Sequence, residues 1–140
     1  MKSLKFLLLV SISVMLLSSC SVLKNPLATP YNSLTDSIAS ATNTELVSSM
    51  ASWQPGISFQ DAMPVYNKAE ASIINLLAVD TTRKHNTQIV SITNEWLSQL
   101  EQTKSAHQAA GMFNSSQLAI NFGLLKQAGN IVVTTEKKYK

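Results

Sequence analysis

The chain has 140 residues, a formal net charge of +3 and a single cysteine, Cys20. Two of its basic residues, Lys2 and Lys5, precede an apolar run, so most of the charge excess belongs to the leader. The remainder has no clustered stripe of lysine and arginine of the kind that nucleic-acid binding requires. We therefore expect no nucleic-acid partner, and one cysteine alone cannot form an intramolecular disulfide.

The start of the chain has the layout of a secretory signal peptide. A basic beginning is followed by apolar residues 6–17 and then by small residues before a cleavage point. The apolar run is shorter than the roughly 20 residues that a membrane-spanning helix needs. We therefore predict that residues 1–19 are removed on export.

A short motif ends this leader. Leu17-Ser18-Ser19-Cys20 resembles the lipobox of bacterial lipoproteins. The resemblance implies that Cys20 receives a diacylglyceryl group, becomes the first mature residue and carries two or three acyl chains, palmitate among them. Two or more chains anchor a protein stably to a membrane. The next residue is Ser21 and not aspartate, which by the enteric-type sorting rule implies the outer membrane, facing the periplasm.

Residues 20–32 are predicted to form a flexible tether between the lipid and a folded domain at 33–140. Pro26 and Pro30 remove backbone donors and bias their neighbours toward extended geometry. About twelve stretched residues span at most ~40 Å. The folded domain therefore stays within a few nanometres of the membrane surface.

The first predicted helix begins at Ser33. Ser33 and Asp36 have capping-box spacing, and Pro55-Gly56 predicts the end. We interpret Trp53 as a cap on the core, with a binding contact as the alternative. The apolar residues that recur at helical spacing, and are therefore predicted to be buried, are Leu34, Ile38, Ala41, Leu46, Met50 and Trp53.

Two starts are open for the second helix. Ser58 has cap spacing to Asp61, but this start places Pro64 beyond the first turn, where its missing N–H matters. We prefer Asp61 as the cap, which puts Pro64 within the first turn. Asp80-Thr81-Thr82 predicts the end. The predicted buried face is Tyr66, Ala69, Ile73, Leu76 and Leu77.

The third helix is predicted from Thr82 to Ala110, with Gly111 as a left-handed cap. Its apolar stripe is Ile89, Ile92, Trp96 and Leu100. His85 and His107 lie near the two ends of this helix, about 33 Å apart along its axis, so they cannot share a metal ion. We interpret both as helix-end or surface histidines.

The fourth helix is predicted to start with a cap at Asn114-Ser115-Ser116-Gln117. Its inward residues are expected to be Leu118, Phe122, Leu125, Ala128 and Val132. Ala119 and Gly123 are small residues that would let a neighbouring helix approach closely. The β-branched run 131–135 either continues the helix or leaves it as an extended segment. Together the four segments predict an all-α domain, a small three- or four-helix antiparallel bundle.

The sequence offers few residues for chemistry. Asp61, Glu70, Glu95 and Glu101 could meet as a carboxylate pair, but on amphipathic helices such residues belong to the solvated face, which we prefer. No Gly-x-Ser-x-Gly, P-loop or dinucleotide pattern occurs. We therefore expect no catalytic, cofactor-binding or metal-binding residues. The basic residues at the end of the chain either contact anionic lipid or, as we prefer, form a frayed solvated tail: Lys137, Lys138 and Lys140.

These features favour a non-catalytic lipoprotein of the bacterial envelope rather than an enzyme. Its membrane contact is made through the acyl chains on Cys20, and a protein partner in the envelope is expected. The first hypothesis is an accessory, pilot or assembly factor for an envelope complex such as a secretion or pilus system. The alternative is an inhibitor, immunity or exclusion lipoprotein that blocks an external enzyme, phage or plasmid transfer.

Overall fold

A computed structural model describes residues 31–138. In this range the chain forms four α-helices, α1 Ser33–Ala51, α2 Phe59–Thr81, α3 Thr87–Ala110 and α4 Ser115–Lys138. Each helix packs against the next one along the chain, and α4 packs back against α1. The predicted all-α fold is confirmed, and the number of helices in the bundle is four.

The predicted signal peptide, the lipobox with Cys20, and all but the last two residues of the predicted tether lie outside the described residues. Of the helices that the structure describes, none combines the length and the apolar composition that crossing a membrane requires.

Neighbouring helices run in opposite directions. Thr35 in the first turn of α1 contacts Glu136 near the end of α4, and Tyr66 near the start of α2 contacts His107 near the end of α3. The bundle therefore has a "terminal end", where α1 begins, α4 ends and residues 82–86 connect α2 to α3. At the opposite "loop end", residues 52–58 and 111–114 make the other two connections.

Helix α1 begins where predicted, but its cap and its buried face differ from the prediction. Asn32, not Ser33, is the N-cap, and its side-chain oxygen accepts from the N–H groups of Leu34 and Thr35. Leu34 is 55% exposed. Ala41 is exposed as well. The face that α1 buries is instead Thr35, Ala39, Thr42, Asn43, Leu46 and Met50.

Helix α2 begins at the earlier of the two predicted starts, so the preference for Asp61 as its cap was wrong. Ser58 is the N-cap: its Oγ accepts from the Asp61 N–H at 3.1 Å and lies 2.6 Å from Asp61 Oδ2. This start leaves Pro64 inside the helix, where it cannot donate to the carbonyl of Gln60. Two hydrogen bonds at the cap offset that loss. Tyr66, Ala69, Ile73 and Leu76 are buried as predicted.

Helix α3 begins five residues later than predicted but ends at the predicted place. Residues 82–86 form a loop in which His85 has a positive φ of 54°, so the helix cannot run through them. Asn86 closes this loop by donating from Nδ2 to the backbone oxygens of Asp80 and Thr81. At the other end Gly111 is the cap, as predicted, and its N–H donates to the His107 carbonyl. Its φ is positive, at 74°, but its ψ of −44° differs from that of the predicted left-handed conformation.

Helix α4 confirms the predicted cap. The Asn114 N–H donates to Gln117 Oε1 at 3.0 Å, and the Gln117 N–H donates to Asn114 Oδ1 at 2.9 Å. The helix continues through residues 131–135 to Lys138, which decides the open alternative in favour of helix. The last turn therefore includes Lys137 and Lys138, both of which are exposed.

The close helix–helix approach lies at a different glycine from the one predicted. Gly123 is exposed, and a Cβ there would have no other described atom within 4 Å. At Gly129, by contrast, a Cβ would lie 2.2 Å from Oδ1 of Asn43 and 3.0 Å from Cζ2 of Trp96. Gly129 is therefore the position where α1 and α3 crowd α4.

Candidate functional site

The acidic residues singled out from the sequence lie apart from the core. Asp61, Glu95 and Glu101 are exposed. Glu70 is half-buried and lies 2.6 Å from Nζ of Lys104. Within residues 31–138 no hydrogen bond or ion pair links one of the four carboxylates to another. The same part of the chain contains no group of three or more histidine, cysteine or acidic residues placed to hold a metal ion.

A buried charged cluster occupies the terminal end instead. Its centre is Arg83, whose side chain is 6% exposed in the loop after α2. Nη1 of Arg83 lies 2.8 Å from Oδ1 of Asp80 and 2.7 Å from Oε1 of Glu136, and both carboxylates are completely buried. The hydroxyl of Thr35 lies 3.0 Å from Glu136 Oε2, and the hydroxyl of Thr93 donates to Asp80 Oδ2 at 3.1 Å. We call these five residues the terminal cluster.

The terminal cluster has two carboxylates and one guanidinium, which makes its charge unbalanced when both acids are ionised. Desolvation raises the pKa of Glu136, and the nearby Asp80 raises it further, against the opposing effects of Arg83 and Thr35. For Arg83, desolvation lowers the pKa, but hydrogen bonds to Glu136 and Asp80 outweigh it, and the pKa rises. Arg83 is therefore a permanent cation, and Glu136 takes up a proton more readily than an exposed glutamate.

This cluster joins all four helices. Thr35 belongs to α1, Asp80 to α2, Thr93 to α3 and Glu136 to α4, while Arg83 lies in the connecting loop. Because each carboxylate is bound by a neighbour in the fold, the arrangement is suited to holding the helix ends together. Removing one member of a buried charged group is costly, typically about 3–5 kcal/mol, since it leaves an uncompensated charge.

Sequence reasoning missed Asp80 and Glu136. A signal was present: Asp80 follows Ile73 by seven residues, and Glu136 follows Val132 by four, so both lie in phase with the apolar stripes of their helices. A charged residue in such a register is either at the edge of the core or paired inside it. Only the tertiary contacts with Arg83 distinguish these two cases.

A second buried polar centre lies at the loop end. His107 lies in the last turn of α3, which confirms its interpretation as a helix-end histidine. It is completely buried, so the alternative of a surface histidine was wrong. Nε2 of His107 lies 3.0 Å from the Ile57 carbonyl oxygen, and Nδ1 lies 3.0 Å from the Tyr66 hydroxyl. A carbonyl only accepts, so Nε2 carries a proton; in the neutral ring Nδ1 then accepts from Tyr66. Burial raises the pKa of Tyr66 well above its usual range, so the phenol keeps its proton.

Aromatic rings surround His107. Phe113 stacks on the imidazole with ring centroids 4.1 Å apart, and Phe59 meets it edge-on at 5.8 Å. Trp53 packs edge-on against Tyr66 at 5.4 Å, which supports its interpretation as a cap on the core. The loops that carry these rings are joined by backbone hydrogen bonds, including Phe59 N–H to Gly111 O at 2.9 Å. The loop end is therefore closed by a packed and internally hydrogen-bonded cluster.

One groove opens on the side of the bundle between α1 and α2. It has a volume of about 180 Å³, and its floor includes Leu46, Val65 and Ala69. Lys68 and Glu45 form an ion pair at its rim, and both side chains are at least half exposed. Pro64 of α2 also lines the groove.

No protein family, curated protein or solved structure that was compared with the chain matches it. The fold thus defines the class of the domain, a small four-helix bundle. The charged groups of the terminal cluster bind one another, and His107 binds the Tyr66 hydroxyl and the backbone carbonyl of Ile57.

Proposed function

We propose that this protein is a lipoprotein of the bacterial envelope that acts as a non-catalytic accessory, pilot or assembly factor for an envelope complex. The observation that carries the proposal is the sequence Leu17-Ser18-Ser19-Cys20 behind a basic and apolar leader. Cys20 is the only cysteine, so its thiol has no intramolecular partner and is available for lipid attachment. The outer membrane, facing the periplasm, is the proposed location, because Ser21 and not aspartate follows the cysteine.

The buried chemistry of the bundle supports a binding role rather than catalysis. The carboxylates of Asp80 and Glu136 are bound by Arg83, and both nitrogens of His107 have partners in the fold. These groups are therefore used to hold helices and loops together. The surfaces that remain for a partner include the α1–α2 groove and the exposed side chains of Met112 and Ile120 near the loop end, which are 60% and 42% exposed.

Lipidation is tested by metabolic labelling with a fatty-acid analogue in an enteric host. The Cys20→Ser variant is expected to lose all label and to remain unprocessed or soluble, because serine has no thiol to receive the diacylglyceryl group. Ser21→Asp is the matched control: it keeps the thiol, so it is expected to keep the label while moving to the inner membrane. Label that persists on Cys20→Ser would refute the proposal.

The accessory role is tested by crosslinking in intact cells and by deletion of the gene. An assembly factor is expected to crosslink to a subunit of an envelope complex, and its loss is expected to mislocalise that subunit. If deletion leaves envelope assembly intact but sensitises the cells to an external enzyme, phage or plasmid, the inhibitor or exclusion role replaces the accessory role. Turnover of a substrate by the purified chain would contradict both.

A further inference from the structure

The terminal end of the bundle is the end from which the chain leads back to Cys20. Described residues begin at Tyr31, one residue before the α1 N-cap, and the first turn of α1 contacts the last turn of α4 through Thr35 and Glu136. A lipid attached at Cys20 is therefore joined to the bundle at the same end where α4 finishes.

Three exposed lysines lie at this end. Lys84 directly follows Arg83, and Lys137 and Lys138 directly follow Glu136. The Arg83–Glu136 contact of 2.7 Å therefore brings the loop that carries Lys84 to the same end of the bundle as the last turn of α4, which carries Lys137 and Lys138. We call Lys84, Lys137 and Lys138 the basic end face.

The acids of the same end do not balance this face. Asp80 and Glu136 are completely buried against Arg83. Asp36 is half-buried and accepts a hydrogen bond from the Tyr31 hydroxyl at 3.1 Å. Two of these carboxylates are thus fully buried and the third is half-buried, whereas Lys84, Lys137 and Lys138 are exposed.

Other lysines of the domain are placed differently. Lys68 pairs with Glu45, Lys104 pairs with Glu70, and Nζ of Lys126 lies 5.8 Å from the ring centroid of Phe122. Lys84, Lys137 and Lys138 take part in no ion pair within residues 31–138. The loops of the opposite end, residues 52–58 and 111–114, contain no charged residue at all. Residues 31–138 contain seven lysine and arginine residues and eight acidic residues, so the basic end face is a local group of exposed cations in a domain without a general positive charge.

We propose that the basic end face contacts the anionic headgroups of a lipid bilayer and thereby orients the bundle with its loop end pointing away from the membrane. This inference rests on the proposed lipid anchor. A basic residue close to an anionic surface strengthens binding by about fivefold, so three acting together favour this orientation on the order of a hundredfold. The uncharged loop end, with Met112 exposed, is then presented to partners in the periplasm.

The test uses the chain from Cys20 to Lys140, coupled through its single thiol to a maleimide lipid in vesicles. This coupling is chemical and does not depend on lipidation in cells. Lysine accessibility is then measured, residue by residue, from the rate of acetylation by a water-soluble reagent followed by mass spectrometry. Vesicles of phosphatidylcholine alone are compared with vesicles rich in phosphatidylglycerol.

On the anionic vesicles Lys84, Lys137 and Lys138 are expected to react several-fold more slowly than on neutral ones, while Lys68 and Lys126 react at the same rate on both. High salt is expected to remove the protection, because it screens charges at a surface. Equal rates for all five lysines on the two kinds of vesicle would overturn the inference.

Sedimentation of the uncoupled Cys20→Ser chain with the anionic vesicles provides a second readout. Changing the three lysines of the basic end face to glutamate is expected to abolish the salt-sensitive association with these vesicles. The same change at Lys68, Lys104 and Lys126 alters the net charge equally but is expected to weaken the association far less. Equal losses in both triple variants would contradict a localised surface. If metabolic labelling of Cys20 fails while the three lysines are protected on anionic vesicles, the proposed lipid anchor is wrong and the proposed membrane-contacting surface is supported. If Cys20 is labelled while the three lysines are not protected, the proposed surface alone is wrong.

Discussion

His107 has two hydrogen-bond partners of different kinds. The carbonyl of Ile57 belongs to the α1–α2 loop and only accepts, whereas the hydroxyl of Tyr66 belongs to α2 and can rotate. The imidazole therefore connects three segments of the loop end while it is stacked on Phe113. A buried polar group without a partner costs about 1–3 kcal/mol, so the loss of either hydrogen bond is expected to lower the free energy of unfolding by an amount of this order.

Replacement of His107 by alanine is expected to lower the free energy of unfolding by about 2–4 kcal/mol, because it removes two buried hydrogen bonds, leaves the Tyr66 hydroxyl without its partner and creates a cavity. Tyr66→Phe keeps the ring and is expected to cost about 1–2 kcal/mol, since only one hydrogen bond is lost. Urea unfolding followed by circular dichroism measures both. The exposed neighbour Gln108→Ala is the control, with an expected change within about 0.5 kcal/mol. Equal effects of His107→Ala and Gln108→Ala would contradict the buried role.

At the scale of the helix, the contact between α1 and α4 depends on small and polar residues. α1 buries Ala39, Thr42 and Asn43, and Nδ2 of Asn43 donates to Oδ1 of Asn130 at 2.9 Å. Gly129 on α4 leaves room for the Asn43 amide, which a Cβ would meet at 2.2 Å. The two helices can therefore approach closely only while residue 129 has no side chain.

Two glycines of α4 provide a matched test of this contact. Gly123→Ala is expected to raise the free energy of unfolding by about 0.5–1 kcal/mol, because alanine favours a helix and the site is open. Gly129→Ala gains the same helix propensity but pushes against the buried amide of Asn43, and is expected to lower the free energy of unfolding by about 1–3 kcal/mol. Thermal and urea unfolding of the two variants give the comparison. Stabilisation by Gly129→Ala would show that α1 and α4 move apart without cost.

At the scale of the whole molecule, the terminal cluster joins the four helices with an excess of buried negative charge. Arg83 compensates one of the carboxylates of Asp80 and Glu136, and burial raises the pKa of Glu136 above its ordinary value of 4.5. Between the ordinary and the raised pKa the folded protein therefore binds more protons than the unfolded chain. The contribution of Glu136 to stability is complete at pH values below 4.5 and is lost as pH rises through the raised pKa.

The Glu136→Gln variant removes this titration while keeping an oxygen that accepts from Arg83. The difference in unfolding free energy between variant and wild type is expected to move in favour of the variant as pH rises above 4.5, and to become constant above the raised pKa. Urea unfolding at a series of pH values measures it. Glu101→Gln controls for the loss of one exposed carboxylate. A difference that moves in favour of the wild type as pH rises would contradict the sign derived from burial.

The parts of the fold that could be predicted depend on neighbours in the chain. The reciprocal cap of Asn114 and Gln117 needs residues three apart, and the helix end at Gly111, with its positive φ, needs one residue without a side chain. The apolar stripes of α2 and α3 were predicted for the same reason, because large apolar residues recur at helical spacing. The start of α3 was not predicted, since the loop before it is shaped by Asp80, Arg83 and Asn86 together.

The buried face of α1 was predicted least well. Leu34 has the composition of a core residue but is 55% exposed, whereas Thr35, beside it, is completely buried. The exchange at Thr35 is explained by a partner far along the chain, because Thr35 binds Glu136. Asn43 is paired only in part: its Nδ2 donates to Asn130, whereas its Oδ1 has no hydrogen-bond partner among the described residues. A polar residue becomes favourable inside a protein once its hydrogen bonds are satisfied, and no local pattern records that a partner lies about a hundred residues away.

For this protein the sequence alone determined the helical periodicity, the caps at Asn114 and Gly111, and the lipobox prediction at Cys20, since each rests on residues within a few positions of one another. Only the tertiary structure decided that Asp80, Arg83 and Glu136 are buried together and that His107 lies within an aromatic cluster. The physical reason is that burial of a charged or polar group depends on the free energy of pairing with groups from other helices, and this pairing exists only after the bundle has formed.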